Sequence, residues 1–318
     1  MFEDKDRTLC PMLLGPVSVP VRDGEPYTAE YLAADLAAAD TPVRRGPLRG
    51  NTLGELTRIY FERMIGEGAF DWFGTQFPVA VRVLRISGQT PLFVNPDDTL
   101  AADRYDSFGK PACWYVAEAG PGARVQLGFA VDAGASGLFD AATGGSAASL
   151  MNSIPVRKGD LFSIPPTLVH GASGNMTIIE ISEASDLGFI LDEDIAEVLD
   201  FVSTDAPIPE VLSPENPVNT FIVRKITLDG ERVVSPSEDD TFYLYVCLGG
   251  EVSLTVPEAG EVRFSGPEAD DGTFDTVLVP ADAEKAVAVS CGPAPAELLE
   301  IIFRKPEQTE ELWTTIPE

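Results

Sequence analysis

One histidine, His170, stands in 318 residues, and that scarcity excludes a good deal of chemistry. A lone imidazole cannot hold zinc, which takes at least three protein ligands. The four cysteines, Cys10, Cys113, Cys247 and Cys291, are widely spaced, with no Cys-x-x-Cys pair and no histidine beside them. Neither a zinc knuckle nor a disulfide framework is suggested, and reduced thiols are expected. Cations are also scarce: 22 Lys and Arg face 51 Asp and Glu, a formal net charge of −29. Such a field repels phosphate backbones, so no nucleic-acid partner is expected, and the excess acids read as a solvated surface. Long apolar runs are missing too. The charged start, Met1 to Arg7, leads into no stretch suited to a signal peptide or a membrane span, so a cytoplasmic protein with no membrane partner is expected.

The length allows two ordinary domains. Residues up to about Arg22 read as extended, because Pro11, Pro16 and Pro20 break any helix. Thr28 is a plausible N-cap for a helix over Ala29 to Ala39, and Thr52 for one over Leu53 to Ile65 that Gly66 and Gly68 stop. From Phe77 onward the rhythm changes. Short β-branched runs alternate with turn residues: Val79 to Ile86, Leu92 to Val94, Ala112 to Val116, Ala123 to Ala130, Asp160 to Ile164 and Thr177 to Ser182. The small-residue piece Ala133 to Ala148 reads as a mobile surface excursion. Asp192 to Val202 has helical spacing, and a proline-rich linker follows over 206–217. A second β-rich block then runs through Phe221 to Leu228, Thr241 to Leu248, Glu251 to Val256, Val277 to Val279, Ala286 to Ser290 and Glu297 to Phe303. Within it Val277-Leu278-Val279-Pro280-Ala281 echoes Phe162-Ser163-Ile164-Pro165-Pro166, an architectural duplication rather than a close repeat. The expected fold is mainly β: two antiparallel barrels or jelly rolls, with a helical flank on the first. The division is 1–205 for the first domain, 206–217 for the linker and 218–318 for the second domain, with the barrels proper near 43–183 and 219–304.

Patterns able to carry chemistry all lie within 77–190. They are Leu92-Phe93-Val94-Asn95-Pro96-Asp97-Asp98, then Gly109-Lys110-Pro111-Ala112-Cys113-Trp114-Tyr115, then the strand and turn Lys158-Gly159-Asp160 to Thr167-Leu168-Val169-His170, and finally Ser185-Asp186-Leu187-Gly188-Phe189-Ile190. Together with Gly50 to Leu56, the aromatic cluster Phe70, Trp72 and Phe73, and Met151 to Asp160, these resemble the type I phosphomannose isomerases. Those are zinc enzymes of the cupin superfamily that interconvert mannose 6-phosphate and fructose 6-phosphate. The resemblance implies two cupin barrels and a protein of carbohydrate metabolism.

It also locates what has changed. The family holds zinc with a Gln-x-His pair, a Glu before Cys-Trp-Tyr, and the His that ends a Pro-x-Gly-Thr-x-His turn. Those places hold Phe93, Asn95, Ala112 and His170 here, so only His170 survives, and the family's catalytic arginine falls at Ile190. Lys110 matches a family lysine and Arg82 keeps the charge of another, an anion-binding remnant or simply surface and structural charge. Cys113 should point away from the old metal cavity, because successive strand residues face opposite ways. Asp97 and Asp98 read as turn formers after Pro96. Moving a proton between adjacent sugar carbons needs an electrophile on the oxygens and a base near the carbon-bound hydrogen. With the ligands and the arginine gone, no catalytic residue and no cofactor are expected. Three readings stay open: a catalytically silent homologue that binds a small sugar, sugar phosphate or other metabolite or serves as an oligomeric partner, an active aldose–ketose isomerase or related cupin enzyme with a rearranged zinc site, and a purely structural protein. The sequence sets no oligomeric state.

Overall fold

The computed structural model describes residues 8–132, 134–204, 215–218, 220–268 and 272–304. Its centre is the 14-residue strand His170–Glu183. Val79–Gln89 pairs with it antiparallel from Ser173↔Gln89 to Glu183↔Val79, and Ala112–Ala119 pairs on its other side. The strand is apolar on both faces because both are buried. Met176 and Ile178 enter the first barrel with Leu84, Trp114, Val116 and Phe162. Ile179 and Ile181 face the other way, into a core that also holds Val81, Tyr115, Leu244 and Ile301. That second core joins the two barrels, and a strand buried on both sides loses the polar/apolar alternation of a half-exposed one.

The second barrel repeats the plan. A seven-stranded sheet runs in the order 215–218, 221–228, 296–303, 243–249, 276–279, 12–14, 43–45, facing a four-stranded sheet of 231–234, 286–290, 251–256 and 260–265. Two of its strands, Met12–Leu14 and Val43–Arg45, come from the amino-terminal part of the chain. The division at 206–217 is thus a division of sequence that this sheet crosses. Residues 206–214 of the expected linker lie outside the described residues, while Glu215–Val218 form a strand against Phe221–Arg224.

Most expected strands are present within a few residues of their expected bounds. Three local expectations are corrected. Thr28 caps no helix, since Tyr27–Ala33 is a strand held between Val17–Val19 and Val79–Gln89. Pairing on both edges and burial of Ala29, Tyr31 and Ala33 outweigh the helix preference of alanine. The Ala133 to Ala148 stretch is not a plain loop: Gly134–Thr143 is helical, with Leu138 and Ala142 packed on Phe129 and Val198. Its two apolar anchors four residues apart were hidden by the glycine and serine around them. The helix over Asp192 to Val202 is reduced to Ile195–Val198. The flanking helix does begin at Thr52 with a capping box to Glu55, but it breaks at Phe61, φ 52°, into Leu53–Tyr60 and Glu62–Ile65, followed by Glu67–Phe73. Among the described residues no helix is long and apolar enough to cross a membrane.

The turn that delivers His170 carries local strain. Thr167 has φ 69°, and its N–H donates to the Asn95 carbonyl at 2.7 Å. A β-branched residue in the left-handed region is costly by roughly 1–2 kcal/mol, partly offset in any glycine replacement by the greater freedom of the unfolded chain. Thr167→Gly is therefore expected to raise stability to urea by up to about 1 kcal/mol. A loss of stability on equilibrium unfolding would show that the threonine side chain outweighs its backbone strain.

Candidate functional site

A cavity of about 230 Å³ opens at the mouth of the first barrel, lined among others by Tyr31, Arg82, Phe93, Asn95, Lys110 and His170. Glu180, Asp186 and Ile190 complete the wall. Of the residues singled out from the sequence, Arg82, Phe93, Asn95, Lys110, His170 and Ile190 meet here, whereas Ala112, Cys113, Asp97 and Asp98 do not line the space. Ala112 is fully buried just below it, packed with Trp114 and Ile164. Cys113 faces the opposite way, into the core between the barrels, where burial pushes its thiol far above the usual range. Asp97 and Asp98 serve the turn: Asp97 caps the helix Asp98–Tyr105 through Leu100 N–H at 2.8 Å, and Asp98 accepts from Gly109 N–H at 2.9 Å.

At the floor lies Glu180, 3% exposed, on the interior face of the central strand. Its cross-strand neighbours are Arg82 and Trp114. Arg82 donates to Oε1 at 2.7 Å, and the Trp114 indole donates to Oε2 at 2.8 Å. Burial works against the carboxylate, yet Arg82, then Lys110 and the indole hold its pKa at about 2. Arg82 also lies 5.8 Å from the centre of the Tyr31 ring, and its Nε is buried without a hydrogen-bond partner among the described residues.

Lys110 is the unusual group. It is 8% exposed, and its ammonium makes no hydrogen bond or ion pair with another described side chain. The reading of Lys110 and Arg82 as surface charges is therefore corrected: both look into the cavity. Burial and then the charge of Arg82 lower the Lys110 pKa to about 8, with Glu180 and the rim residue Asp186 pulling the other way. The Asp186 carboxylate is already engaged by the N–H groups of Ala37 and Ala38 at 2.9 and 3.3 Å. The Glu180 charge is balanced by Arg82, so the deep part of the cavity carries one surplus positive charge.

His170, 2% exposed, is a barrel residue held by its surroundings. Its Nδ1 lies 2.9 Å from the Leu168 carbonyl, which can only accept, so the proton sits on Nδ1. The ring lies 5.2 Å from that of Trp114 and 6.0 Å from that of Phe93. Burial lowers its pKa to about 4, leaving it neutral at pH 7. The Asn95 side-chain amide is spent on the Lys110 carbonyl at 3.0 Å.

The donor set does not fit zinc. Phe93 and Ala112 offer no donor atom, Asn95 and His170 offer one each, and Lys110 and Arg82 set positive charge beside them. No group of three His, Cys, Asp or Glu able to hold a metal ion occurs among the described residues.

Sequence reasoning passed over Glu180, Tyr31 and Asp186 as site residues. The signal for Glu180 was present: a carboxylate inside Ile178-Ile179-Glu180-Ile181, matched by a guanidinium inside Val81-Arg82-Val83. A charge in the middle of a doubly buried strand needs a partner.

A two-barrel cupin fold with a polar cavity in its first barrel is the architecture of phosphomannose isomerases, and comparison bears this out. A crystal structure of the mannose 6-phosphate isomerase from Bacillus subtilis superposes with a TM-score of 0.74 at 19% identity, covering 92% of this chain and 99% of that one. A mannosephosphate isomerase from Archaeoglobus fulgidus, described as putative, gives 0.75 at 16% identity over 94% and 99%. In sequence, the mannose-6-phosphate isomerase of Streptococcus mutans is 28% identical over 144 residues, 45% of this chain and 44% of that protein. The B. subtilis protein YvyI, a putative mannose-6-phosphate isomerase, is 26% identical over 145 residues. The sequence match thus spans under half the length of these relatives, and no family model matches. Over these 144 to 145 residues the chain is similar in sequence to proteins named mannose-6-phosphate isomerase, and it shares the fold of the solved phosphomannose isomerases.

A charged, unpaired and buried ammonium carries a stability penalty that follows from its pKa. With the folded value near 8 against 10.5 in the open chain, charged Lys110 costs about 3 kcal/mol at pH 7. The unfolded state binds the extra proton between those two values, so the penalty is full below pH 8 and relieved as pH rises toward 10.5. Lys110→Met is expected to stabilise the protein by about 3 kcal/mol at pH 7, the gain shrinking above pH 8 and vanishing near pH 11, measured by urea unfolding across that range. A variant less stable than the parent at pH 7 would show that the ammonium is paired in solution.

Proposed function

We propose that this protein binds a small anionic sugar, a sugar phosphate or sugar acid, at the mouth of its first barrel without a metal ion, and does not isomerise it. The observation that carries this reading is the Lys110 ammonium, which lines the cavity with no hydrogen-bond or ion-pair partner among the described side chains and is set beside the Arg82–Glu180 pair. A site with one surplus buried cation is complete only when an anion enters. Sugar phosphates are the class handled by the proteins this chain is similar to, and hydroxyl groups find acceptors and donors in Glu180, Asn95, Tyr31 and His170 around the same space. Isomerase chemistry is a different matter. The developing oxyanion needs a stabiliser, and the positions that supply one in the family hold Phe93, Asn95, Ala112 and Ile190; losing a single such donor typically costs about 100-fold to 1,000-fold.

The alternative, an active isomerase with a rearranged metal site, rests on the sequence match to named isomerases over 144 residues. The two are separated by three measurements on one preparation. Elemental analysis is expected to find no stoichiometric zinc, and a coupled assay with mannose 6-phosphate no turnover. Calorimetric titration with mannose 6-phosphate is expected to show binding that weakens as pH rises through about 8, where Lys110 loses its proton, and that falls at least about tenfold in Lys110→Met. Turnover abolished by a chelator would establish the alternative. A protein with Phe93→Gln, Asn95→His and Ala112→Glu is expected to regain zinc but no turnover until Ile190→Arg is added, and turnover in the triple variant alone would show that the arginine position matters less than argued.

A further inference from the structure

The central strand of each barrel carries a buried glutamate at the same rung of its ladder. In the first barrel Glu180 stands opposite Arg82 on one neighbouring strand and Trp114 on the other. In the second, Glu300 stands opposite Arg224 and Tyr245. The contacts repeat as well. Arg82 and Trp114 reach Glu180 at 2.7 and 2.8 Å; Arg224 and the Tyr245 hydroxyl reach Glu300 at 3.6 and 3.0 Å. Arg232 adds a two-pronged contact to Glu300, at 2.9 and 2.7 Å, that has no counterpart in the first barrel. Stepping back two residues at a time along the strand that carries the aromatic partner leads from Trp114 through Ala112 to Lys110, and from Tyr245 through Tyr243 to Thr241. The mouth that Lys110 lines in the first barrel is therefore the mouth that Thr241 lines in the second, and a larger cavity of about 510 Å³ lies there, bounded by Arg224, Thr241, Tyr243, Ile302 and Arg304.

We propose that this mouth of the second barrel is a ligand site of its own, built on the same plan as the first and taking a neutral polyhydroxylated ligand such as a free sugar or sugar alcohol. Its outer wall is the helix Glu67–Phe73, fixed in place by Asp240, whose carboxylate accepts from Glu67 and Gly68 N–H at 2.7 and 2.9 Å. Gly66 permits this approach, since with φ 95° a Cβ there would meet the Asp240 carbonyl at 2.2 Å. The charge around the space is opposite in sense to that of the first site: Glu67, Asp71, Asp239 and Asp240 outnumber Arg224 and Arg304, so a phosphate is repelled. Hydroxyl groups both donate and accept, which a wall of mixed carboxylates, guanidinium groups and a phenol can satisfy. The Tyr243 hydroxyl donates to Asp239 at 2.7 Å and keeps lone pairs for a ligand, and Ile222 and Ile302 offer apolar surface to its C–H face.

The test uses the full chain and D-mannose, D-fructose and sorbitol as probes, followed by saturation-transfer NMR with titration to millimolar concentrations. Saturable binding with a dissociation constant of about 1–10 mM is expected for at least one of them. Ile302→Trp, which fills the cavity, is expected to abolish it. Tyr243→Phe, which keeps the ring, is expected to weaken it about fivefold and guards against a folding defect in the tryptophan variant. Lys110→Met, which removes the cation of the first site, is expected to leave it unchanged, so failure here is distinguishable from failure of the sugar-phosphate reading. No saturable binding of any probe, binding that survives Ile302→Trp in a folded protein, or binding lost in Lys110→Met would each overturn the proposal.

Discussion

Much of the first site follows from one charge arrangement: a carboxylate, Glu180, paired with Arg82, and an ammonium, Lys110, that feels Glu180 and Asp186 but makes no ion pair with a side chain among the described residues. Glu180 cannot be solvated at 3% exposure, so its charge fixes Arg82 at one oxygen and the Trp114 indole at the other. That in turn holds Trp114 against His170 and orients the floor of the cavity. Breaking such a pair by removing one partner leaves the other charge stranded, typically at 3–5 kcal/mol, so Arg82 and Glu180 constrain each other independently of any ligand. Lys110 has no such excuse. Charged, it costs the empty fold stability while it lines the cavity, and anion binding is proposed from that pair of observations.

The same arrangement bears on metal. In a cupin barrel whose donors are imidazoles and carboxylates, a dication supplies the positive charge at the mouth. Here the side-chain donors at those places are His170 and one amide oxygen, with Lys110 and Arg82 lining the same cavity. The low donor count weighs against a metal ion held by these side chains.

Much of the fold could be read along the chain because strand residues announce themselves in short β-branched runs between Gly, Pro and Asp. The bounds of Phe221–Leu228, Glu251–Val256 and Ala286–Ser290 match expectation residue for residue. What escaped was set by contacts distant in sequence. Tyr27–Ala33 is a strand because Val17–Val19 and Val79–Gln89 lie on its edges, and nothing within the segment reveals those neighbours. Met12–Leu14 joins the far barrel by pairing with Val277 and Leu278, a partnership across most of the chain. At the site, a motif comparison located Phe93, Asn95, Lys110, His170 and Ile190 around one cavity, yet passed over Glu180, which belongs to no motif. Its role is visible only once Arg82 is known to stand across from it.

The two glutamates show what a duplicated barrel retains and what it varies. Glu180 and Glu300 occupy matching rungs, each between an arginine and an aromatic donor, although the strands around them share little sequence beyond apolar runs. An isolated carboxylate on a barrel's interior face is unfavourable in any register, so its persistence at one rung requires both neighbours to persist with it. That makes the floor the rigid part of each barrel. The mouths differ: Lys110 lines one and Thr241 the other, with opposite balances of charge around them. Phe93 lines the first cavity and Ala112 packs with Trp114 and Ile164, and the Arg82–Glu180–Trp114 floor stands with both in place.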